Sequence, residues 1–359
     1  MNKKFLFLIS LIVIISVVLC SFAACFNKTE SQDKNTDTPD TGDNDEDNSD
    51  DDDNDVTDPG DENEPPVTIY GFGERRPVIA PSVQLSSDMS AIEMLEVGVK
   101  NYYGASYIAS NSEGALNTQV LGMNFTQFVK SQTIRQGSSN GDYKQFSNNI
   151  SGSVGSALVK VMIWEETAIT QSGDNININF RNADKDNLKV RKLDDDKYEL
   201  FFSKNGFNAV ENFTDISKYQ TEKAANPTLI WMYDINENTY DKEKTVEPKK
   251  NDDGTYTFKI VADPKASTVE YTKQMMYMLN STGTKAEDFE FRKIELEITM
   301  WDNGFIKSLN LTESYFMKVS GIIDTEITLN SFRQFSYFDT EEGFTPADLT
   351  EMMSLSHNS

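Results

Sequence analysis

The sequence offers few side chains for nucleophilic or metal chemistry. Its two cysteines are Cys20 and Cys25, and its single histidine, His357, lies two residues from the C-terminus. A Cys–His nucleophile, a Ser-His-Asp triad and a zinc site built on Cys or His all need residues that the rest of the chain lacks. We therefore expect no catalytic residue, no metal site and no cofactor, and we predict that the protein is not an enzyme.

Two other patterns favour a structural interpretation over a chemical one. Residues 151–156 read SGSVGS, which is rich in glycine but lacks the lysine and the spacing of a phosphate-binding loop, so we predict a flexible loop. Glu165 and Glu166, beside Trp164, form the most suggestive carboxylate pair. Because neighbours in a strand point to opposite faces, the two cannot act on one substrate bond, and the pattern favours a solvated strand end.

Aromatic and methionine clusters are the remaining candidates for a binding site. They cover residues 161–164, 229–233 and 275–279. Such clusters usually form core, but methionine also adapts to irregular apolar ligands, so packing and a hydrophobic cavity both stay open. The candidate pocket residues are Trp164, Trp231, Met275, Met278 and Leu279.

The N-terminus has the plan of a signal peptide. Lys3 and Lys4 precede an apolar run from Phe5 to Leu19, and Ser21-Phe22-Ala23-Ala24 brings small residues up to Cys25. These residues resemble the lipobox of bacterial lipoproteins, except that Phe22 stands where the family prefers Leu, Val or Ile. The resemblance implies cleavage between Ala24 and Cys25 and lipidation of Cys25. The alternative is an uncleaved signal anchor, since about 20 apolar residues suffice to span a bilayer.

An acidic tether is predicted to follow the leader. Residues 28–66 contain 17 Asp and Glu and two Lys, which is most of the chain's net charge of -25. Such a segment cannot bury enough apolar surface to offset ordering, so we expect disorder, extended by charge repulsion. An EF-hand starting at Asp43 would need Gly and Glu where Asn48 and Asn54 stand. The acidity also argues against nucleic acid as a partner.

Three helices are expected in the body. Ser90 and Glu93 form a capping-box pair before a helix over residues 90–103, and Ser267 and Glu270 repeat the pattern before a helix over 267–280. A third, weaker candidate covers residues 213–225, before Asn226-Pro227.

Most of the remaining body alternates with the period of a strand. In residues 293–300, Ile294, Leu296, Ile298 and Met300 share one face, and a turn at Asp302-Asn303-Gly304 leads into further alternation to Tyr337. Long strands are also predicted over 107–121, 125–134 and 157–169. A strand with one polar face indicates an antiparallel sheet.

The resulting prediction is an α+β domain over residues 67–338, with a large curved antiparallel sheet in meander order covered by two or three helices. Residues 1–24 are predicted to be the signal peptide, 25–66 the lipidated cysteine and tether, and 339–359 a flexible tail. The order of lipobox, linker, opening helix and long strands resembles the half-barrel lipoproteins of the LolA and LppX/LprG kind. That resemblance implies a carrier for lipids.

Two function classes stay open at this point. The first is an exported lipoprotein, anchored to the outer face of the cell membrane, whose body binds an apolar or lipid-like ligand without catalysis. The alternative is a surface lipoprotein that contacts an unidentified envelope protein. An internal apolar cavity under the helix at 267–280 would favour the first, and a filled core with an exposed apolar patch the second.

Overall fold

The structure, a computed structural model, describes most of the predicted body. The described residues are 75–77, 84–138, 141–153, 162–183, 188–192, 198–202, 207–223, 231–279, 284–319 and 321–338. The predictions for the signal peptide, the lipidation site, the tether and the C-terminal tail lie outside these residues.

The first half of the sheet is an antiparallel meander. Each strand pairs with the next along the chain, and a fifth strand also pairs with a short eighth. The strands are β1 (Tyr107–Val120), β2 (Met123–Gln136), β3 (Tyr143–Ser153), β4 (Met162–Ser172), β5 (Asn175–Asn182) and, later in the chain, β8 (Glu211–Phe213). The loop predicted over 151–156 is wrong for 151–153, because Ser151, Gly152 and Ser153 pair with β2. Residues 154–156 are not described.

The second half is another antiparallel meander, and it holds the most clearly predicted strands. It contains β9 (Val246–Lys250), β10 (Tyr256–Val261), β11 (Phe289–Met300), β12 (Ile306–Val319) and β13 (Ile323–Tyr337). The predicted turn between β11 and β12 is confirmed: Gly304 has a φ of 81°, and Trp301 N donates to Phe305 O at 2.9 Å.

The two meanders join because the first strand pairs with the last. β1 and β13 run antiparallel, which gives one open sheet of 11 strands with β8 and β9 at its edges. Strands β6 (Leu188–Lys192) and β7 (Tyr198–Phe202) form a separate hairpin. The predicted large antiparallel sheet is confirmed, but the architecture is mostly β, and the three helices form a smaller part than the α+β prediction implied.

The opening helix, α1 (Ala91–Gly104), has the predicted capping box. Ser90 N donates to Glu93 Oε2 at 2.8 Å, and the Ser90 hydroxyl accepts from Glu93 N. At the other end Arg135, from β2, donates to the main-chain oxygens of Tyr102 and Ala105. This buried guanidinium satisfies carbonyls that a helix C-terminus leaves without intrahelical partners.

The other two helices begin two or three residues later than predicted. The second, α2 (Ile216–Lys223), starts after Asp215, whose carboxylate accepts from Ser217 N at 2.8 Å. The third, α3 (Val269–Leu279), buries Tyr271, Met275 and Leu279, which recur every four residues on one face. Its expected cap is replaced, because the Ser267 hydroxyl donates to Asp263 O at 2.7 Å.

All three helices pack on the same face of the sheet, which we call the inner face. One apolar cluster there lies under α1 and α3, against β10 to β13, β1 and β2. A second, smaller cluster lies under α2, against β4 and β5, and includes Ile169, Phe180 and Tyr219. Cross-strand partners link the two clusters in register, from Ile108 through Arg135 and Gln145 to Ile169.

Candidate functional site

The inner face encloses a cavity beside α3. Its floor consists of β1 and β11 to β13, and its cover is the segment Trp231–Tyr233, which lies outside the helices and strands, together with Tyr271 of α3. The cavity volume is about 60 Å³. The apolar lining residues are Trp231, Met232, Leu296, Leu309, Leu311 and Leu329, and the polar ones are Ser112, Tyr233, Tyr271, Glu313, Ser331 and Arg333.

Of the five pocket residues predicted from the sequence, Trp231 lines this cavity. Met275 and Leu279 belong to the apolar core beneath α3 and are fully buried. Trp164 lies on the opposite face of the sheet, where its ring packs edge-on against Phe207. The side chain of Met278 is not among those that the structure describes.

Strand alternation places the polar lining residues. On β12 the inward positions are Leu309, Leu311, Glu313, Tyr315 and Met317, so one carboxyl interrupts an apolar row. Because the strand period is two, that carboxyl must point into the core with its neighbours. The sequence signal for the site was therefore the polar gap within an apolar alternation.

Glu313 is the most unusual group in the cavity wall. It is 1% exposed, the Tyr233 hydroxyl donates to its Oε2, and the Tyr271 hydroxyl lies 3.5 Å from its Oε1. Burial raises the pKa of the Glu313 carboxyl from its usual 4.5 to about 7, against the two tyrosine hydrogen bonds, which act to lower it. The cavity thus holds a carboxyl group that changes charge near neutral pH.

The two tyrosines connect the cavity cover to the floor. Burial raises the pKa of both hydroxyls well above the usual 10, and the nearby Glu313 charge adds to the effect. Both phenols therefore remain neutral donors over the physiological range. Through Glu313 they join the segment Trp231–Tyr233 and helix α3 to the same strand.

Arg333 supplies a positive charge to the other end of the cavity. It is a partly buried residue of β13, with Ser112 of β1 and Leu309 of β12 as its cross-strand partners. Burial lowers the pKa of its guanidinium below the usual value, and the hydroxyls of Tyr102 and Tyr103 act to raise it. An arginine side chain is the group best suited to bind a carboxylate or phosphate.

From Arg333 a row of polar side chains continues across the inner face, and we call it the polar belt. Its members are in direct cross-strand register: Arg333, Ser112, Ser131, Asn149 and Glu165. Ser131, Asn149 and Glu165 are all buried. The polar belt therefore runs across the strands from the apolar cluster under α1 and α3 toward the cluster under α2.

The carboxylate pair on β4 differs from its prediction in one respect. Glu165 and Glu166 do point to opposite faces, but both are buried, so the solvated strand end is wrong. Glu166 accepts from Arg181 Nε at 2.6 Å and from Trp164 Nε1 at 3.2 Å on the outer face. The physical reason is this ion pair, which compensates the desolvation of a carboxylate within a sheet buried on both sides.

No group of three or more His, Cys, Asp or Glu in the described part of the chain has a metal-binding arrangement. Among the same residues, no helix combines the length and the apolar character needed to cross a membrane. The leucine side chains of the cavity can contact the apolar part of a ligand. The polar side chains can hydrogen-bond to the ligand's polar head group or neutralise its charge.

No protein-family model and no curated protein matches the chain. Among solved structures, a β-barrel-like protein of the domain of unknown function DUF1849 from Brucella abortus is 13% identical, with a TM-score of 0.23, and the alignment covers 66% of this chain and 100% of that one. A DUF1329 family protein from Desulfovibrio piger is 11% identical, with a TM-score of 0.21 and coverages of 73% and 100%. The translocator domain of the autotransporter NalP from Neisseria meningitidis is 7% identical, with a TM-score of 0.22 and coverages of 68% and 92%. At TM-scores this low, the three likenesses carry no argument about ligand or activity.

Proposed function

We propose that the chain is an exported, membrane-anchored lipoprotein whose body binds a lipid-like ligand without catalysis. The observation that carries this proposal is the inner-face cavity: six of its twelve lining residues are apolar, and Arg333 and Glu313 are among the other six. An apolar wall with a few placed polar groups is typical of ligand sites. The anchor is proposed from the leader and Cys25.

The ligand class follows from the composition of the wall. A purely apolar molecule would not use the polar groups of Arg333, Ser112 and Ser331 in the wall, and a purely polar one would not use the leucines. An amphipathic molecule satisfies both, with its acyl part against Leu309, Leu311 and Leu329 and an acidic head at the guanidinium. A free fatty acid is the simplest member of this class.

The size of the cavity sets a condition on binding. A volume of about 60 Å³ accommodates only a few water molecules, whereas ligand pockets commonly measure about 300 to 1,000 Å³. Binding therefore requires the segment Trp231–Tyr233 to move away from the sheet. That segment lies outside the helices and strands, so its displacement breaks no helix or sheet ladder, but it must break the hydrogen bond from Tyr233 to Glu313.

A substitution that fills the cavity tests this proposal. Ser112→Leu places an apolar side chain where the cavity is now open, so we expect loss of fluorescent fatty-acid binding with the midpoint of thermal unfolding within a few degrees of wild type. The matched control is Ser308→Leu, the same exchange on β12 at a partly buried position of the outer face. It should bind like wild type.

Two results would count against the proposal. Equal fatty-acid binding by folded Ser112→Leu would exclude this cavity as the site. A wild-type chain that binds no fatty acid would contradict the carrier function itself and favour the alternative of a surface lipoprotein that contacts envelope proteins.

A further inference from the structure

Two neighbouring hairpins end in exposed apolar residues, and we call these ends the hairpin tips. Leu121 lies in the turn between β1 and β2 and is 51% exposed; Ile322 lies in the turn between β12 and β13 and is 77% exposed. β1 pairs with β13 so that Val120 faces Thr325. The two tips therefore project side by side from the same end of the sheet, on the order of 10 Å apart.

The backbone at Leu121 makes its identity unusual. Val120 pairs with Met123, so Leu121 and Gly122 alone form the turn, and their φ angles are 49° and 77°. Two-residue turns with both φ positive strongly favour Asn-Gly, and the side chain of leucine is sterically disfavoured in this conformation. Neither core packing nor turn geometry explains a leucine here, and such outliers are a sign of function.

The tip between β12 and β13 also combines a positive φ with an exposed apolar side chain, but here the positive φ falls on a glycine. Gly321 takes the positive φ of 69°, and Ile322 N donates to Val319 O at 3.2 Å to close the turn. Behind both tips the inner-face side chains Val120, Val319 and Ile323 are buried. Leu121 and Ile322 thus extend the apolar core beyond the end of the sheet into solvent.

We infer that the hairpin tips insert into a lipid bilayer. A stable protein interface needs about 800 Å² on each partner, which two side chains at turn ends cannot supply. A bilayer needs no shape complementarity, and removing the two apolar side chains from water favours their insertion. Such a weak contact suffices for a body that a lipid anchor already holds near the membrane, and in this respect the inference rests on the proposed anchor.

The length of chain before the body permits this orientation. The chain enters the described part at Arg75, which bridges to Ser336 near the end of β13 that is distant from the tips. The 15 residues of β13 span about 50 Å. The 40 or so residues between Cys25 and the body reach up to about 130 Å when extended, which is enough to bring the tips back to the same membrane.

Charge around the tips indicates what kind of membrane contact to expect. Lys318 and Asp324 face each other in the ladder, and the Asp288 carboxylate lies beside Gly321. These groups give no net positive charge to attract anionic headgroups. Insertion should therefore depend on the apolar side chains and be insensitive to salt.

Photochemical labelling of the full chain tests the inference. The chain is mixed with phosphatidylcholine vesicles containing a phosphatidylcholine with a photoreactive acyl chain, floated, irradiated and mapped by peptide mass spectrometry. We expect acyl adducts on the peptides containing residues 121 and 322. The double variant Leu121→Asn/Ile322→Asn should lose at least nine-tenths of them, while its thermal midpoint stays equal or rises, because asparagine suits the left-handed conformation at position 121 and residue 322 is exposed.

The control is Val246→Asn/Val269→Asn, which removes two other exposed apolar residues, each 54% exposed, and should keep the tip adducts. Tips without adducts, equal adducts in the tip variant, or a chain that does not float would each overturn the inference. The mass of the N-terminal peptide separates the two proposals. Tip adducts on a chain with unmodified Cys25 would refute the anchor alone, and a lipidated Cys25 without tip adducts would refute the tips alone.

Discussion

At the scale of single residues, the carboxyl of Glu313 determines how the cavity responds to pH. Its pKa of about 7 in the folded chain lies above the usual 4.5, so the fold favours the protonated form. The stabilisation is fully present below pH 4.5 and is lost as the pH rises to about 7. Linkage over this interval amounts to about 3 kcal/mol in the free energy of unfolding.

Glu313→Gln should remove this pH dependence, because an amide keeps hydrogen-bonding capacity toward Tyr233 and Tyr271 and never ionises. We expect the variant to be more stable than wild type by about 3 kcal/mol at pH 8 and by less than about 1 kcal/mol at pH 5, measured by urea unfolding. The pH dependence of the difference between the two proteins isolates Glu313 from the other acidic residues. A difference that stays constant from pH 5 to pH 8 would show that Glu313 is already ionised in the fold.

At the scale of elements, the packing of α1 on the sheet depends on one small residue. A Cβ at Gly98 would lie 2.8 Å from Ile306 Cγ1 and 2.8 Å from Met300 Cε. The methionine terminus can shift, but Ile306 Cγ1 belongs to a β-branched side chain of β12, whose rotation about χ1 is restricted. The close approach of helix to sheet therefore requires glycine at this position.

Gly98→Ala should lower the free energy of unfolding by about 1 to 2 kcal/mol, because overpacking outweighs the gain in helix propensity. Gly104→Ala is the matched control: it lies in the same helix, and a Cβ there would meet no atom within 4 Å. That variant should be as stable as wild type or slightly more so. If Gly98→Ala were as stable as Gly104→Ala in the same denaturant series, the helix would not be held by this contact.

Strands whose inner face is apolar along its whole length were the clearest to predict from the sequence. β11 is an example, because Ile294, Leu296, Ile298 and Met300 repeat without a break. β3 was not predicted, since its inward positions are Gln145, Ser147, Asn149 and Ser151 and produce no apolar alternation. Its place in the sheet comes from pairing with both neighbours, which is not a local property of the sequence.

The same limit applies to the candidate site. Trp231 could be named from an aromatic cluster, but Glu313 could not, because the tyrosine that binds it is 80 residues away along the chain. The alternation on β12 contained a signal in the form of one polar residue at an inward position. A polar residue at an inward position of an otherwise apolar strand can mark the wall of a cavity. On that interpretation, Glu313 would have been a candidate site residue.

At the scale of the whole molecule, the sheet joins two meanders with different interiors. The β9 to β13 meander has a mostly apolar inner face under α1 and α3, and the polar belt runs from Arg333 of this meander across β1 to β4 toward the cluster under α2. The cavity lies where the apolar core meets the belt. An amphipathic ligand bound there would have its acyl part on the apolar side and its head toward Arg333.

Native mass spectrometry of the full chain, extracted from bacterial membranes in mild detergent, tests the central claim most directly. We predict a mature chain that begins at Cys25, carries a diacylglyceryl group and retains one non-covalent lipid, which collisional activation releases. The Ser308→Leu variant should retain the same lipid, and Ser112→Leu should not. A wild-type chain without bound lipid, or lipid retained equally in Ser112→Leu, would contradict the proposed binding function.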